Sequence, residues 1–134
     1  ALTSCASELH RIDNEVNRSI EYKYDTVDEW QPASETDTLK TGDCEDFAIL
    51  KYQKMIDMGI DQSSIYFLIV KLKGSKSNHA MLRVGDKYYD SFIQSRGIKN
   101  SDFEVIEEFT NEKITVSNAS YSYYPKFLNA IKQE

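Results

Sequence analysis

Residues 65–72, with the sequence IYFLIVKL, form an almost continuously apolar run. Its length suits a β-strand, and a strand that faced water on one side would alternate apolar with polar residues. A continuous run is typical of a strand that is covered on both faces. The sequence therefore predicts a β-sheet whose strand 65–72 is buried on both faces.

A helix is predicted before this strand, near the start of the chain. Leu9, Ile12, Val16 and Ile20 follow one another at spacings of three and four, with charged residues between them. This spacing places them on one helical face. We expect this helix to end near Tyr24-Asp25. The polar segment that follows, residues 26–42, is predicted to be a loop with room for a short helical turn.

A second helix is predicted from residue 44 to about residue 58. Gly42 allows the backbone to turn, Asp43 is a favourable N-cap, and Gly59 is a natural C-terminal stop. One face of this helix carries Cys44, Ala48, Tyr52 and Met55. Cys44 therefore lies in the first turn, at the positive end of the helix dipole.

Strand patterns dominate the chain after residue 65. Two further strands, 79–84 and 87–92, are predicted on either side of a tight turn at Gly85-Asp86. The patterns at 103–109 and 114–116 are weaker strand candidates, and 125–132 is compatible with a closing helix. Helices followed by a mainly antiparallel sheet predict the α+β class. The length of 134 residues suits a single domain, residues 1–134.

Charge and composition exclude several classes of protein. Sixteen basic and 22 acidic residues give a net charge of −6, which argues against a nucleic-acid-binding surface. No apolar stretch approaches the roughly 20 residues of a transmembrane helix. Two cysteines are too few for a disulfide scaffold. The sequence is silent on oligomeric state.

Cys44 is the first candidate for chemistry, because a helix N-terminus helps to stabilise a thiolate nucleophile. The alternative is a buried cysteine that acts as a small apolar residue. Of the two histidines, His10 lies on the polar side of the first helix and His79 opens a strand. A two-residue turn at Gly85-Asp86 pairs Val84 with Lys87, which places Asp90 diagonally across from His79. Asp90 is therefore able to orient the imidazole, unless both are only polar residues on an exposed sheet face.

Three acidic residues surround the cysteine. Asp43, Glu45 and Asp46 flank Cys44 within four consecutive positions. Carboxylates favour a helix N-terminus, so capping and a solvated face explain them in part. However, three negative charges raise the pKa of a neighbouring thiol. A hard cation such as Ca²⁺, which prefers oxygen ligands, would remove this conflict.

Taken in order, these residues resemble the bacterial transglutaminase-like cysteine proteinase family. The most specific block is Gly-Asp-Cys-Glu-Asp-Phe-Ala at residues 42–48, followed by a later His and Asp. The resemblance covers about residues 12–95. The other matching pieces are Val16-Asn17, Ile20-Glu21-Tyr22, Tyr24-Asp25, Asp28-Glu29-Trp30, Lys51-Tyr52, Met58-Gly59, His79-Ala80-Met81-Leu82 and Tyr89-Asp90.

This resemblance implies a papain/transglutaminase-like core and a Ca²⁺-dependent thiol endopeptidase that acts on a protein substrate. Its catalytic residues would be Cys44 as nucleophile, His79 as general base and Asp90 as the orienting acid. The implied metal positions are Asp43 and Glu45, with Asp46 as a possible third ligand. The resemblance also implies a periplasmic or cell-surface location.

Two further residues, Trp30 and Ser91, and one backbone group bear on the site. Trp30 matches a tryptophan near the active site of such folds, where core filling is the alternative role. The Cys44 backbone N–H is expected to be one donor to the oxyanion. The family usually has Asn after the aspartate, whereas this chain has Ser91, which puts the support of that strand end in question.

Two other functions are compatible with the same residues. A transglutaminase-like acyl transfer to an amine uses the same Cys-His-Asp relay and differs only in the acceptor. A non-enzymatic binding or structural module, for example in a virion, would keep the fold without the reaction. The Tyr-rich segment 121–124 near the C-terminus favours such a module slightly.

Overall fold

The architecture was analysed in a computed structural model, which describes residues 2–24, 29–91 and 100–132. Asp25, Asp28 and Phe92, which enter the predictions above, lie outside these ranges. The helices are α1 (Leu2–Ser19), α2 (Ala33–Leu39), α3 (Cys44–Asp57) and α4 (Tyr124–Lys132). The strands are β1 (Glu21–Tyr22), β2 (Thr41–Gly42), β3 (Ile65–Leu72), β4 (Asn78–Val84), β5 (Lys87–Tyr89), β6 (Phe103–Phe109) and β7 (Ile114–Ser117).

Five strands form one antiparallel sheet in the order β5-β4-β3-β6-β7. The apolar strand β3 lies at its centre. Ile65, Phe67 and Ile69 belong to the main core, whereas Leu68 and Val70 belong to a smaller cluster. Successive side chains of a strand point to opposite faces, so β3 is buried on both. The predicted α+β class, with helices packed on a mainly antiparallel sheet, is confirmed.

Helix α1 is shorter at its C-terminal end than predicted. Its apolar stripe is buried as expected, but the helix ends at Ser19 and not near Tyr24-Asp25. The reason is a competing set of backbone bonds. Glu21 N donates to Lys40 O at 2.8 Å and Lys23 N donates to Gly42 O at 2.8 Å, which joins β1 to β2 in a parallel pair.

The segment predicted to be a loop contains the helix α2. It follows Pro32 and ends at Lys40, whose φ of 58° is the left-handed conformation of a helix C-terminus. Ala33 and Thr36 are buried, and α2 packs against α3. Together α2 and the β1–β2 pair fix the chain immediately before α3.

Helix α3 connects the helical layer to the sheet, since it contacts α1, α2, α4 and β4. All of its first nine residues, 44–52, are buried, so burial includes the predicted apolar face and extends around the helix. Within the ranges given above, no helix combines the length and hydropathy needed to cross a membrane.

Candidate active site

The N-terminus of α3 is held by a reciprocal capping box. The Asp43 side chain accepts from the backbone N of Asp46, and the Asp46 side chain accepts from Asp43 N at 3.0 Å. The Asp43 side chain also accepts from Cys44 N at 2.7 Å. Gly42 is needed here, because a Cβ at that position would lie 2.7 Å from the Asp46 Cβ. The sequence GDCED therefore builds a tight turn that presents Cys44 in a fixed orientation.

Cys44 is 9% exposed and lies among groups that oppose its ionisation. Burial raises the pKa of the thiol, and the charges of Glu45 and Asp43 raise it further. A hydrogen bond from the backbone of Ala80 lowers the pKa in part. The thiol also donates to Glu45 Oε2 at 3.4 Å. The thiol of Cys44 thus needs a base or a cation to become a thiolate.

His79 and Asp90 are brought into direct contact. Both side chains are buried, and the imidazole Nε2 is hydrogen-bonded to Asp90 Oδ1. The register Val84–Lys87 is the one predicted, although β5 ends at Tyr89. Since Nε2 is engaged by Asp90, proton exchange with a thiol would have to use Nδ1.

Cys44 and His79 line the same cavity, which has a volume of about 520 Å³. The Cys44 thiol is hydrogen-bonded to the backbone of Ala80, the residue after His79 on β4. The predicted nucleophile, base and orienting acid are therefore gathered at one site, although 46 positions separate Cys44 from Asp90 in the sequence.

Trp30 also lines this cavity, and it fills the core at the same time. Its ring stacks on Phe67 at 5.3 Å and on Tyr123 at 5.9 Å between centroids. The two roles considered from the sequence are thus combined in one residue. Tyr123 forms another wall of the cavity and accepts a hydrogen bond from Asn78 Nδ2 at 3.1 Å.

Asp43, Cys44 and Glu45 form a cluster of buried groups, and their possible ligand atoms lie within 4.8 Å of one another. Burial and the charges of Asp43 and Asp46 raise the pKa of Glu45 to about 8. The hydroxyl of Tyr22 donates to Asp43 Oδ1 at 2.5 Å. Adjacent, desolvated carboxylates are the donor set that suits a hard divalent cation. Asp43 and Glu45 therefore offer the type of ligand that Ca²⁺ takes, whereas the Cys44 thiol does not.

Asp46 lies outside this cluster. Its Oδ1 accepts from Gln31 N at 2.9 Å, and its Oδ2 accepts from Gln31 Nε2 at 2.8 Å in addition to Asp43 N. Burial nevertheless raises its pKa to about 6. Because both oxygens already accept hydrogen bonds, Asp46 holds the helix start together, and its role as a metal ligand stays a prediction.

The backbone N–H of Cys44, the expected oxyanion donor, is engaged by the Asp43 carboxylate. It becomes available to a substrate oxyanion only if that carboxylate turns away. The role predicted for this N–H therefore depends on the conformation of Asp43.

No role at the site was predicted from the sequence for Asn17, Tyr22, Lys51 or Tyr123, although the first three lie in pieces that match the family. Tyr22 and Tyr123 line the cavity, but nothing in their local patterns indicates this. Lys51 and Asn17 contact Asp90 from two helices. Lys51 carries a detectable signal, because it lies seven residues after Cys44 and so falls on the apolar face of α3.

A match to a protein family identifies the class to which this fold and cavity belong. The sequence profile of the family described as "bacterial transglutaminase-like cysteine proteinase" matches residues 2–96. The chain therefore belongs to this family of cysteine peptidases. Among curated protein sequences, none matches the chain.

Solved structures of LapG from Legionella pneumophila share the fold. One LapG structure and an EGTA-treated one each superpose with a TM-score of 0.82 at 21% identity. Each of these alignments covers 96% of this chain and 78% of the LapG chain. A calcium-bound LapG structure gives a TM-score of 0.74 at 20% identity, with coverages of 96% and 80%. The similarity therefore extends beyond the part that matches the family profile.

Proposed function

We propose that this protein is a Ca²⁺-dependent endopeptidase in which Cys44 is the nucleophile, His79 the general base and Asp90 the orienting acid. The observation that carries the proposal is the shared cavity of Cys44 and His79, with His79 held by a buried Asp90. Family membership supports a cysteine peptidase with a protein substrate. A periplasmic or cell-surface location belongs to the same proposal and rests on the family resemblance.

The reaction follows from the groups that face the cavity. Nδ1 of His79 takes the thiol proton, and the sulfur of Cys44 attacks the carbonyl carbon of a peptide bond. The C–N bond then breaks, and His79 returns the proton to the leaving amine. Water, deprotonated by the same imidazole, attacks the thioester and releases the acid and the free thiol. The carboxylate of Asp90 stabilises the imidazolium formed in each half of the reaction.

Calcium would be held by Asp43 and Glu45, with Asp46 as the predicted third ligand. When bound, the cation supplies positive charge that offsets the carboxylates beside the thiol. The existence of calcium-bound and EGTA-treated LapG structures supports this part of the proposal.

The decisive experiment compares Cys44→Ala with Cys5→Ala, since these are the two cysteines of the chain. Fluorescein-labelled casein, incubated with excess calcium, provides a general protein substrate, and circular dichroism checks the fold. We expect Cys44→Ala to abolish cleavage and Cys5→Ala to retain it, with both variants folded. Cleavage by folded Cys44→Ala would refute the assigned nucleophile. A wild-type protein that leaves casein intact while iodoacetamide fails to modify Cys44 would refute the peptidase.

A further inference from the structure

Asp90 is placed where the sheet no longer holds its backbone. It follows the last residue of β5, Tyr89, so ladder hydrogen bonds end just before it. The hydroxyl of the next residue, Ser91, has no hydrogen-bond partner among the described residues. Some other group must therefore fix the main chain that carries the Asp90 carboxylate.

Two donors from two different helices meet at the carbonyl oxygen of Asp90. Asn17 Nδ2, from α1, donates at 2.9 Å, and Lys51 Nζ, from α3, donates at 3.1 Å. Such a carbonyl has two lone pairs and accommodates both donors. The backbone of Asp90 is thus attached to the helical layer, whereas its side chain contacts His79.

The lysine in this arrangement is unusual because it is fully buried. Lys51 and Asp13 are each 1% exposed, and Lys51 Nζ lies 2.7 Å from Asp13 Oδ1. Burial lowers the pKa of Lys51, while the charge of Asp13 opposes this effect. A buried ion pair is often no more stabilising than apolar residues of similar volume. Core stability alone therefore does not explain a buried lysine at position 51. The hydrogen bond that Lys51 Nζ donates to the Asp90 carbonyl oxygen does explain it.

We propose that Asn17 and Lys51 are positioning residues that hold the carbonyl of Asp90, and through it keep the Asp90 carboxylate on His79. Asp13, whose Oδ1 lies 2.7 Å from Lys51 Nζ, holds the lysine side chain in place. The proposal deepens the function proposed above and rests on it for its catalytic consequence. Its structural content, the attachment of Asp90 to α1 and α3, is independent of any reaction.

The first test compares Asn17→Ala with Asn14→Ala. Asn14 lies one turn earlier on α1 and contacts His10, so its substitution is a matched control. Two readouts are used: the low-field imidazole N–H resonance of His79 in protein labelled with ¹⁵N-histidine, and the rate of Cys44 alkylation by iodoacetamide with calcium present. His79→Gln assigns the resonance.

We expect Asn17→Ala to shift the His79 resonance or broaden it by solvent exchange, and to slow alkylation about 10-fold, because small displacements in an active site reduce reactivity strongly. Asn14→Ala should match the wild type in both readouts. A wild-type resonance and rate in Asn17→Ala would overturn the role of Asn17. Absence of a low-field resonance in the wild type would overturn the premise that Asp90 is held on His79.

Lys51 needs a different design, since Lys51→Met alone leaves Asp13 buried without its cation and risks unfolding. The double variant Asp13→Leu/Lys51→Met removes both charges together. We expect it to unfold cooperatively in urea as the wild type does, and to show the same altered resonance and slowed alkylation as Asn17→Ala. A folded double variant with wild-type readouts would overturn the role of Lys51. Casein cleavage by the wild type tests the peptidase separately. If the wild type does not cleave casein but Asn17→Ala displaces the His79 resonance, only the proposed function is refuted.

Discussion

At the scale of single residues, the start of α3 is held by several close contacts. Asp46 accepts three hydrogen bonds, from the backbone and the side chain of Gln31 and from Asp43 N. Gly42 lies against it without space for a methyl group. The orientation of Cys44 therefore depends on residues that take no part in the reaction.

Gly42→Ala tests this dependence. The added Cβ would lie 2.7 Å from the Asp46 Cβ, closer than two carbon atoms approach, so the capping box must shift. We expect a loss of about 1–3 kcal/mol in the free energy of unfolding, as for other overpacked sites, measured by urea denaturation. Slower alkylation of Cys44 should accompany it. Unchanged stability would show that the turn before α3 has more freedom than the structure indicates.

Tyr52→Phe gives a second test, at alkaline pH. Burial raises the pKa of Tyr52 from 10.0 to about 12, so the unfolded chain loses this proton first as the pH rises. The wild type should therefore lose stability between pH 10 and 12, by up to about 1.4 kcal/mol per pH unit from this group. Urea denaturation at several pH values should show a smaller loss for Tyr52→Phe. Tyr121→Phe, at a position 54% exposed, is the control, and equal slopes in the three proteins would contradict the prediction.

At the scale of elements, the sequence predicted those helices and strands that residues within the same segment specify. Helix α3 and strand β3 were predicted closely, because capping, periodicity and an apolar run specify them within the segment itself. The end of α1 was wrong by about five residues, because β1 pairs with β2 some 20 positions later. Helix α2 was largely missed, since α3 buries only two of its residues.

In the candidate site, too, some features are specified within one segment and others depend on contacts between distant segments. The cap before Cys44 and the turn at Gly85-Asp86 are visible in the sequence, so the position of Cys44 at a helix start and the contact between Asp90 and His79 could be predicted. The contacts of Tyr123 and Lys51 join elements that are far apart in the chain. The helical pattern indicates that Lys51 is buried, but no local pattern indicates which residue it contacts. The packing of the helices on the sheet determines these contacts.

Tyr123→Ala tests how far the segment before α4 contributes to the cavity. The substitution removes the stack on Trp30 and the hydrogen bond with Asn78. We expect about 1–3 kcal/mol lower stability, less than for a fully buried aromatic residue, and a KM for labelled casein that rises more than kcat falls. Tyr121→Ala, which alters an exposed ring two positions earlier, should have smaller effects. A change in kcat alone would contradict this prediction and would indicate that Tyr123 acts on the chemical step and not on substrate binding.

At the scale of the whole molecule, the overall negative charge includes carboxylates that are buried beside Cys44. The chain carries a net charge of −6, and buried carboxylates lie beside the thiol. Desolvated like charges destabilise a folded protein. A cation that binds only the folded chain would stabilise it by mass action and relieve this repulsion.

Calcium is therefore expected to raise the melting temperature of the whole protein, and EGTA to lower it. At a calcium concentration 100 times the Kd, the gain in the free energy of unfolding is about 2.7 kcal/mol, measurable by scanning calorimetry. Glu45→Gln removes a charged ligand and should abolish most of this gain. Glu35→Gln, on the exposed side of α2, should retain it. Equal melting temperatures of the wild type in calcium and in EGTA would refute the metal site. If calcium raised the melting temperatures of the wild type and Glu45→Gln equally, the ion would bind elsewhere, because a ligand stabilises the folded state only through the groups that bind it.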